Sequence, residues 1–134
     1  MKAFVSADSS FECKVPHGWI ISNYGEEISF SDPEDMCAIT FTIYRRTSDS
    51  HELAADEHLE RFLEQQQAAS VLFVSKSKDE ASANYEDDAG RRWLAMFLES
   101  KSVLLLATMN AAGGVSAETL QRAENALATV RLID

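Results

Sequence analysis

Residues 37–46 read CAITFTIYRR, with apolar Cys37, Ile39, Phe41 and Ile43 at every second position and Ala38, Thr40, Thr42 and Tyr44 between them. A period of two, in a run this rich in β-branched residues, predicts a half-buried strand. Directly afterwards the period changes. From Ser50 to Gln67 the positions Leu53, Ala54, Ala55, Leu59, Phe62 and Leu63 recur at helical spacing, and Asp49 with Glu52 three residues on has the form of a capping box. A strand that gives way to an amphipathic helix excludes an all-β chain, and the flanking segments decide the rest.

Upstream, FECKV (11–15) alternates Phe11, Cys13 and Val15 with Glu12 and Lys14, and Pro16 and Gly18 end it. A polar bend through Asn23, Tyr24 and Gly25 leads to EEISFSDP (26–33), where Ile28 and Phe30 oppose Glu27, Ser29 and Ser31. Pro33 presets its own backbone angle and Asp32 is placed to accept from nearby amides, so 32–35 reads as a turn. Downstream come VLFVSK (71–76), ASANYED (81–87), a hairpin at Asp88-Ala89-Gly90, WLAMFLE (93–99), a turn at Ser100-Lys101-Ser102, and VLLLATMNA (103–111). The last two runs are apolar on both alternating faces, which predicts central strands covered from both sides. After a loop at Ala111-Ala112-Gly113-Gly114, Ser116 is a candidate N-cap, and Leu120, Ala123, Leu127 and Val130 trace one stripe of a closing helix.

The expected order is three strands, a helix, four strands and a helix. This is an α+β chain: an α/β/α sandwich around a mostly antiparallel sheet of about six to seven strands, with two main helices. At 134 residues, with no linker or repeat, it is expected to be a single domain over 1–134.

Charge narrows the function classes. The chain has 22 acidic and 12 basic residues, a net charge of -10, which repels phosphate backbones and anionic headgroups, so neither nucleic acid nor a membrane surface is expected as a partner. The opening MKAFVSADSSFE lacks the apolar core of a secretory signal, and VLLLA (103–107) is too short to cross a bilayer. A cytoplasmic location is the expectation. Cys13 and Cys37 lack C-x-x-C spacing and fall on inward strand positions, so both are expected as buried free thiols.

Catalytic signatures are missing. HELAA (51–55) begins like a zinc-protease helix, but Ala55 stands where the second histidine would be, and His51 with His58 provides no third ligand nearby. Cys13 and His17 are placed apart by strand and turn, Gly113-Gly114 is a lone pair before a helix, and Asp87-Asp88-Ala89-Gly90 lacks the alternating ligands of a calcium loop. No catalytic residue, metal or cofactor is expected. Trp19 reads as a plug at one end of the sheet and Trp93 as a core residue of a central strand.

FECKVPHGW, then EISFSDP, a helix near HELAADEHL and the closing LATVRLI together resemble the fold family of the photosystem II extrinsic P protein and the Ran-binding nuclear import factor. The short phrase carrying the likeness is Phe11, Pro16, Gly18 and Trp19. The resemblance implies a small sandwich around an antiparallel sheet that acts by binding other proteins, and a bacterial branch of it serves as type VI secretion effector chaperones that cradle apolar helices.

Two functions from different classes follow. One is a non-enzymatic cytosolic interaction module, an adaptor or chaperone, monomeric or homodimeric, with a basic protein partner. Its candidate binding residues are the acidic turns Asp32, Glu34, Asp35 and Glu86, Asp87, Asp88, because exposed turns carry function more often than core strands do. The other is a small enzyme or ligand-binding domain with a pocket between sheet and helix and carboxylates at its mouth. A concave pocket with convergent polar groups favours the second, and an open apolar face favours the first.

Overall fold

The computed structural model describes residues 1–25, 27–45, 54–66, 68–76 and 79–133. In chain order the elements are β1 (Lys2–Val5), β2 (Phe11–Val15), β3 (Ile20–Tyr24), β4 (Glu27–Ser31), β5 (Cys37–Arg45), α1 (Ala55–Gln65), β6 (Ala69–Lys76), β7 (Glu80–Glu86), β8 (Arg92–Glu99), β9 (Val103–Ala111), α2 (Ala117–Ala128) and β10 (Arg131–Leu132). The class is α+β as expected. β3 to β9 without α1 form a seven-stranded sheet in the order β3-β4-β5-β9-β8-β7-β6, while β1, β2 and β10 form a second sheet of three. All of the pairings are antiparallel.

Strand β5 behaves as its alternation predicts. Cys37, Ile39, Phe41 and Ile43 are buried, and the residues between them are partly exposed. Strand β9, apolar throughout, is fourth of seven and buried on both sides. Its odd residues Val103, Leu105, Ala107, Met109 and Ala111 join one core with Phe11, Phe30, Phe41, Ala123 and Leu127, whereas Leu104 and Leu106 join another with Leu59, Ala83, Ala95 and Phe97. The sheet therefore separates two cores. In the first, Phe41 lies 4.8 Å from Phe11 and 5.2 Å from Phe30 between ring centroids, so aromatic packing clamps the small sheet onto the large one.

Each helix covers only half of its face. Helix α1 packs on β7 and β8, while α2 packs on β5 and β9 from the other side, together with β2. The helices are thus diagonal to one another across the sheet. Beyond α1, on its own side, β3, β4 and β5 present Ser22, Ser29, Thr40 and Thr42, with Ile20, Tyr24 and Tyr44 exposed among them. Beyond α2, on the opposite side, Leu72 is 66% exposed and Leu94 and Leu98 are partly buried, while Ser82 and Met96 are buried.

The structure adds to the sequence-based expectation in three places. Ile20–Tyr24 is a strand and not only a bend, and β1 and β10 complete the second sheet. The four strands between the helices match the expected runs. Helix α1 begins at Ala55, with Ala54 at its N-cap position, and the Asp49/Glu52 capping box and His51 lie outside the described residues. Ser116 caps α2 by accepting from Thr119 N at 3.1 Å.

Candidate functional site

The two acidic turns come together at one end of the large sheet. Cys37, just after the first turn, pairs with Ala111; Ala111 pairs with Arg92; and Arg92 pairs with Glu86, just before the second turn. Three strand spacings separate them, about 14 Å. Within each turn the carboxylates divide into two kinds. Asp32 is 5% exposed, and its Oδ1 accepts from Met36 N at 2.7 Å and Cys37 N at 2.8 Å. This geometry commits its carboxylate to holding the β4–β5 turn. Asp87 does the same for the β7–β8 turn: Oδ1 accepts from Ala89 N at 3.0 Å and Arg91 N at 2.9 Å, and Oδ2 accepts from the Trp93 indole N–H at 2.9 Å. Those bonds, led by the one from Trp93, hold the Asp87 carboxyl below its ordinary value of 3.8. Glu34, Asp35, Glu86 and Asp88 are the exposed carboxylates of the pair of turns.

Trp93 is accordingly part core and part turn. Its ring is half-buried and stacks on Tyr85 at 6.1 Å, while its N–H reaches the Asp87 carboxylate. Trp19 is buried in the first core behind Pro16, as a plug would be. Cys13 and Cys37 are free and buried. Burial pushes the Cys13 thiol up to about 12 and, with the nearby Asp32 carboxylate, the Cys37 thiol up to about 11. Neither is a thiolate nucleophile near neutral pH.

Sequence reasoning missed a trough beside α2. Its floor is the face of β8 that points away from α1: Leu94, Met96 and Leu98. Helix α2 forms one wall through Leu120, Glu124 and Leu127. The trough opens as a cavity of about 340 Å³ near Leu72, Asn84 and Met109, continues past Glu124 into one of about 300 Å³ at Ser82 and Met96, and reaches a third of about 240 Å³ at Leu98 and Val130. Its rim carries more carboxylates than cations: Glu86 and Glu124 with Arg92 at the first cavity, and Asp79, Glu80 and Glu99 with Arg131 at the last. The trough exists because α2 and β8 sit side by side without α2 covering β7, a relationship between distant segments that no local pattern encodes.

A wider cavity of about 640 Å³ lies along the other side of α1, lined by Tyr44, Phe62, Phe97 and Leu106 with Arg45, Arg61 and His58. The pocket expected between sheet and helix was to carry carboxylates at its mouth. Its described lining carries guanidinium groups and an imidazole instead, and no carboxylate. Among the described residues no group of three metal-ligating side chains occurs, and no helix is long and apolar enough to cross a membrane.

No protein-family model matches the chain, and no curated protein does. Solved structures do. The solution structure of cyanobacterial PsbP (CyanoP) from Synechocystis sp. PCC 6803 superposes with a TM-score of 0.71 over 98% of this chain and 92% of that one, at 14% identity. A Bacteroides thetaiotaomicron crystal structure superposes with a TM-score of 0.66 over 99% of this chain, also at 14% identity. This chain spans 48% of that protein's length. Both likenesses are of fold, and the first is to a PsbP-like fold.

Proposed function

We propose that this chain is a non-enzymatic, cytoplasmic protein-interaction module that seats a helix of its partner in the trough beside α2. The observation that carries the reading is the trough over β6 to β8, floored by Leu94, Met96 and Leu98, with a rim on which carboxylates outnumber cations. Its dimensions suit a helix. Packed helices lie about 8–10 Å apart, close to the width of two strand spacings, so a second helix fits next to α2. The eight residues of β8 extend about 25 Å, the length of a helix of about 16 residues. Glu86 and Glu124 favour basic flanks on that helix, and Glu34, Asp35 and Asp88 add to the negative field that steers it in. The likeness to a PsbP-like fold is consistent with a binding protein, and the two buried free thiols are consistent with a reducing compartment.

The test is a nuclear magnetic resonance titration with two synthetic amphipathic helices that share one apolar face, one flanked by lysine and one by glutamate. The lysine peptide is expected to shift the amides of β8 and α2, with affinity falling as salt rises. Glu124→Arg, at an exposed position, should shift the preference towards the glutamate peptide. Leu72→Glu, also exposed, should weaken binding of the shared apolar face and leave the lysine peptide preferred. Shifts centred on α1, or no binding by either peptide at millimolar concentration, reject the reading.

A second reading, a ligand-binding domain, draws on the cavity along α1. Guanidinium groups over aromatic and aliphatic side chains suit a small anion with an apolar body. A saturable response to naphthalene sulfonate, lost in Arg61→Glu, would support it against the first.

A further inference from the structure

The two edges of the large sheet are built differently. At one edge β6 pairs with β7 through two register irregularities, between Ala69 and Leu72 and between Phe73 and Ser75, and such breaks blunt an edge against further pairing. At the other edge β3 runs in unbroken register with β4 from Ile20 opposite Ser31 to Tyr24 opposite Glu27. It is IISNY: no charge, no proline and no bulge. Both of its faces are open, with Ile20 57%, Ile21 41% and Tyr24 72% exposed.

We infer that β3 is a self-pairing edge, and that two copies of this chain join antiparallel through it about a dyad at Ser22. The strand is complementary to itself in that register. Ile20 of one copy faces Tyr24 of the other, on both sides of the dyad, and Ile21 faces Asn23, so apolar side chains meet apolar side chains on one face. Charge points to the same partner. Each chain carries a net charge of -10, which opposes association of two copies, and least where the contact itself is uncharged, as the edge β3 is. Pairing would satisfy the outward backbone groups of both strands. It would also join the two large sheets into one, in which the row Ser22, Ser29, Thr40 and Thr108 of each copy continues across the dyad into the other. Five-residue strands make a small interface, so the dimer is expected to be weak and concentration-dependent. This inference is independent of the trough beside α2.

Sedimentation equilibrium from about 1 μM to about 1 mM tests it. The apparent mass is expected to rise from 14.9 kDa towards twice that value, more readily in high salt because salt screens the repulsion between the copies. Ile20→Lys with Tyr24→Lys places like charges opposite one another and should hold the protein monomeric over the same range. Ile20→Lys with Tyr24→Glu places opposite charges across the dyad and should restore association. Both side chains are exposed, and circular dichroism of the variants should match the parent. A parent that stays monomeric to about 1 mM, or an association indifferent to both double variants, overturns the inference.

Discussion

The indole N–H of Trp93 donates to Oδ2 of Asp87 at 2.9 Å, so the acidic tip of the β7–β8 hairpin is fastened to the strand that floors the trough. Asp87→Asn is therefore expected to lower the melting temperature by several degrees, while Asp88→Asn, at an exposed neighbour without those bonds, leaves it unchanged. Because the Asp87 carboxyl sits below its ordinary value of 3.8 in the folded chain, its ionised form favours folding. That contribution is complete well above pH 4 and is lost as pH falls through the folded value. Melting temperatures of parent and Asp87→Asn should converge on acidification.

The thiols give an independent check on the first core. With Cys13 pushed up to about 12 and Cys37 to about 11 by burial, a disulfide-exchange reagent at neutral pH should label neither at an appreciable rate in the folded protein. In denaturant and without reductant both should react. A folded chain that labels at once, or a denatured one with no free thiol, contradicts the buried, reduced assignment.

Phe41 joins the two sheets through Phe11 and Phe30. Phe41→Ala is expected to cost about 3–5 kcal/mol, as large cavities in aromatic cores do, measured by urea denaturation. Leu59→Ala removes a side chain from the second core, on the far side of the sheet, and should cost about 2–5 kcal/mol. Since β9 stands between the two sites, the double variant should lose close to the sum of the two.

The acidic end should act on rate and not on stability. Reversing Glu34, Asp35, Glu86 and Asp88 to lysine should slow association with a basic helical peptide, most at low salt, and leave the melting temperature near that of the parent. Asp32 is kept in this variant because its carboxylate holds the Met36 and Cys37 amides.

Much of the fold was legible because its decisive strands are one-sided or fully buried. β5 alternates because one face meets the core, and β9 does not alternate because both faces do. The sequence of β3 suggests only a bend, since Ile20 and Ile21 are both exposed on opposite faces of an open edge and leave no period to detect. β10 is held by pairing with β2, a contact between the two ends of the chain, and β1 is a four-residue edge strand with no buried face to set a period. The acidic turns were visible as turns, but the division between fastening and exposed carboxylates depends on which amides lie within reach. Asp32 gave the one hint, as an aspartate placed before proline in a turn. The trough was not legible at all, since its wall and floor are α2 and β8.

The pairing of β5 with β9, which brings Cys37 against Ala111 and Arg45 against Val103, has a kinetic consequence. Everything from α1 through β8 must be looped out before the centre of the sheet can zip, so the contact that both cores depend on is also a costly one to close. The meanders β6–β7–β8–β9 and β3–β4–β5 pair locally and can form early, each as part of the sheet with a raw edge, β9 or β5, still to be paired. Refolding should then be slow for a chain of this length, with its rate set by the meeting of two preformed halves. Residues along the β5–β9 seam, Thr40 and Thr108 among them, are where substitutions would change the folding rate more than the unfolding rate.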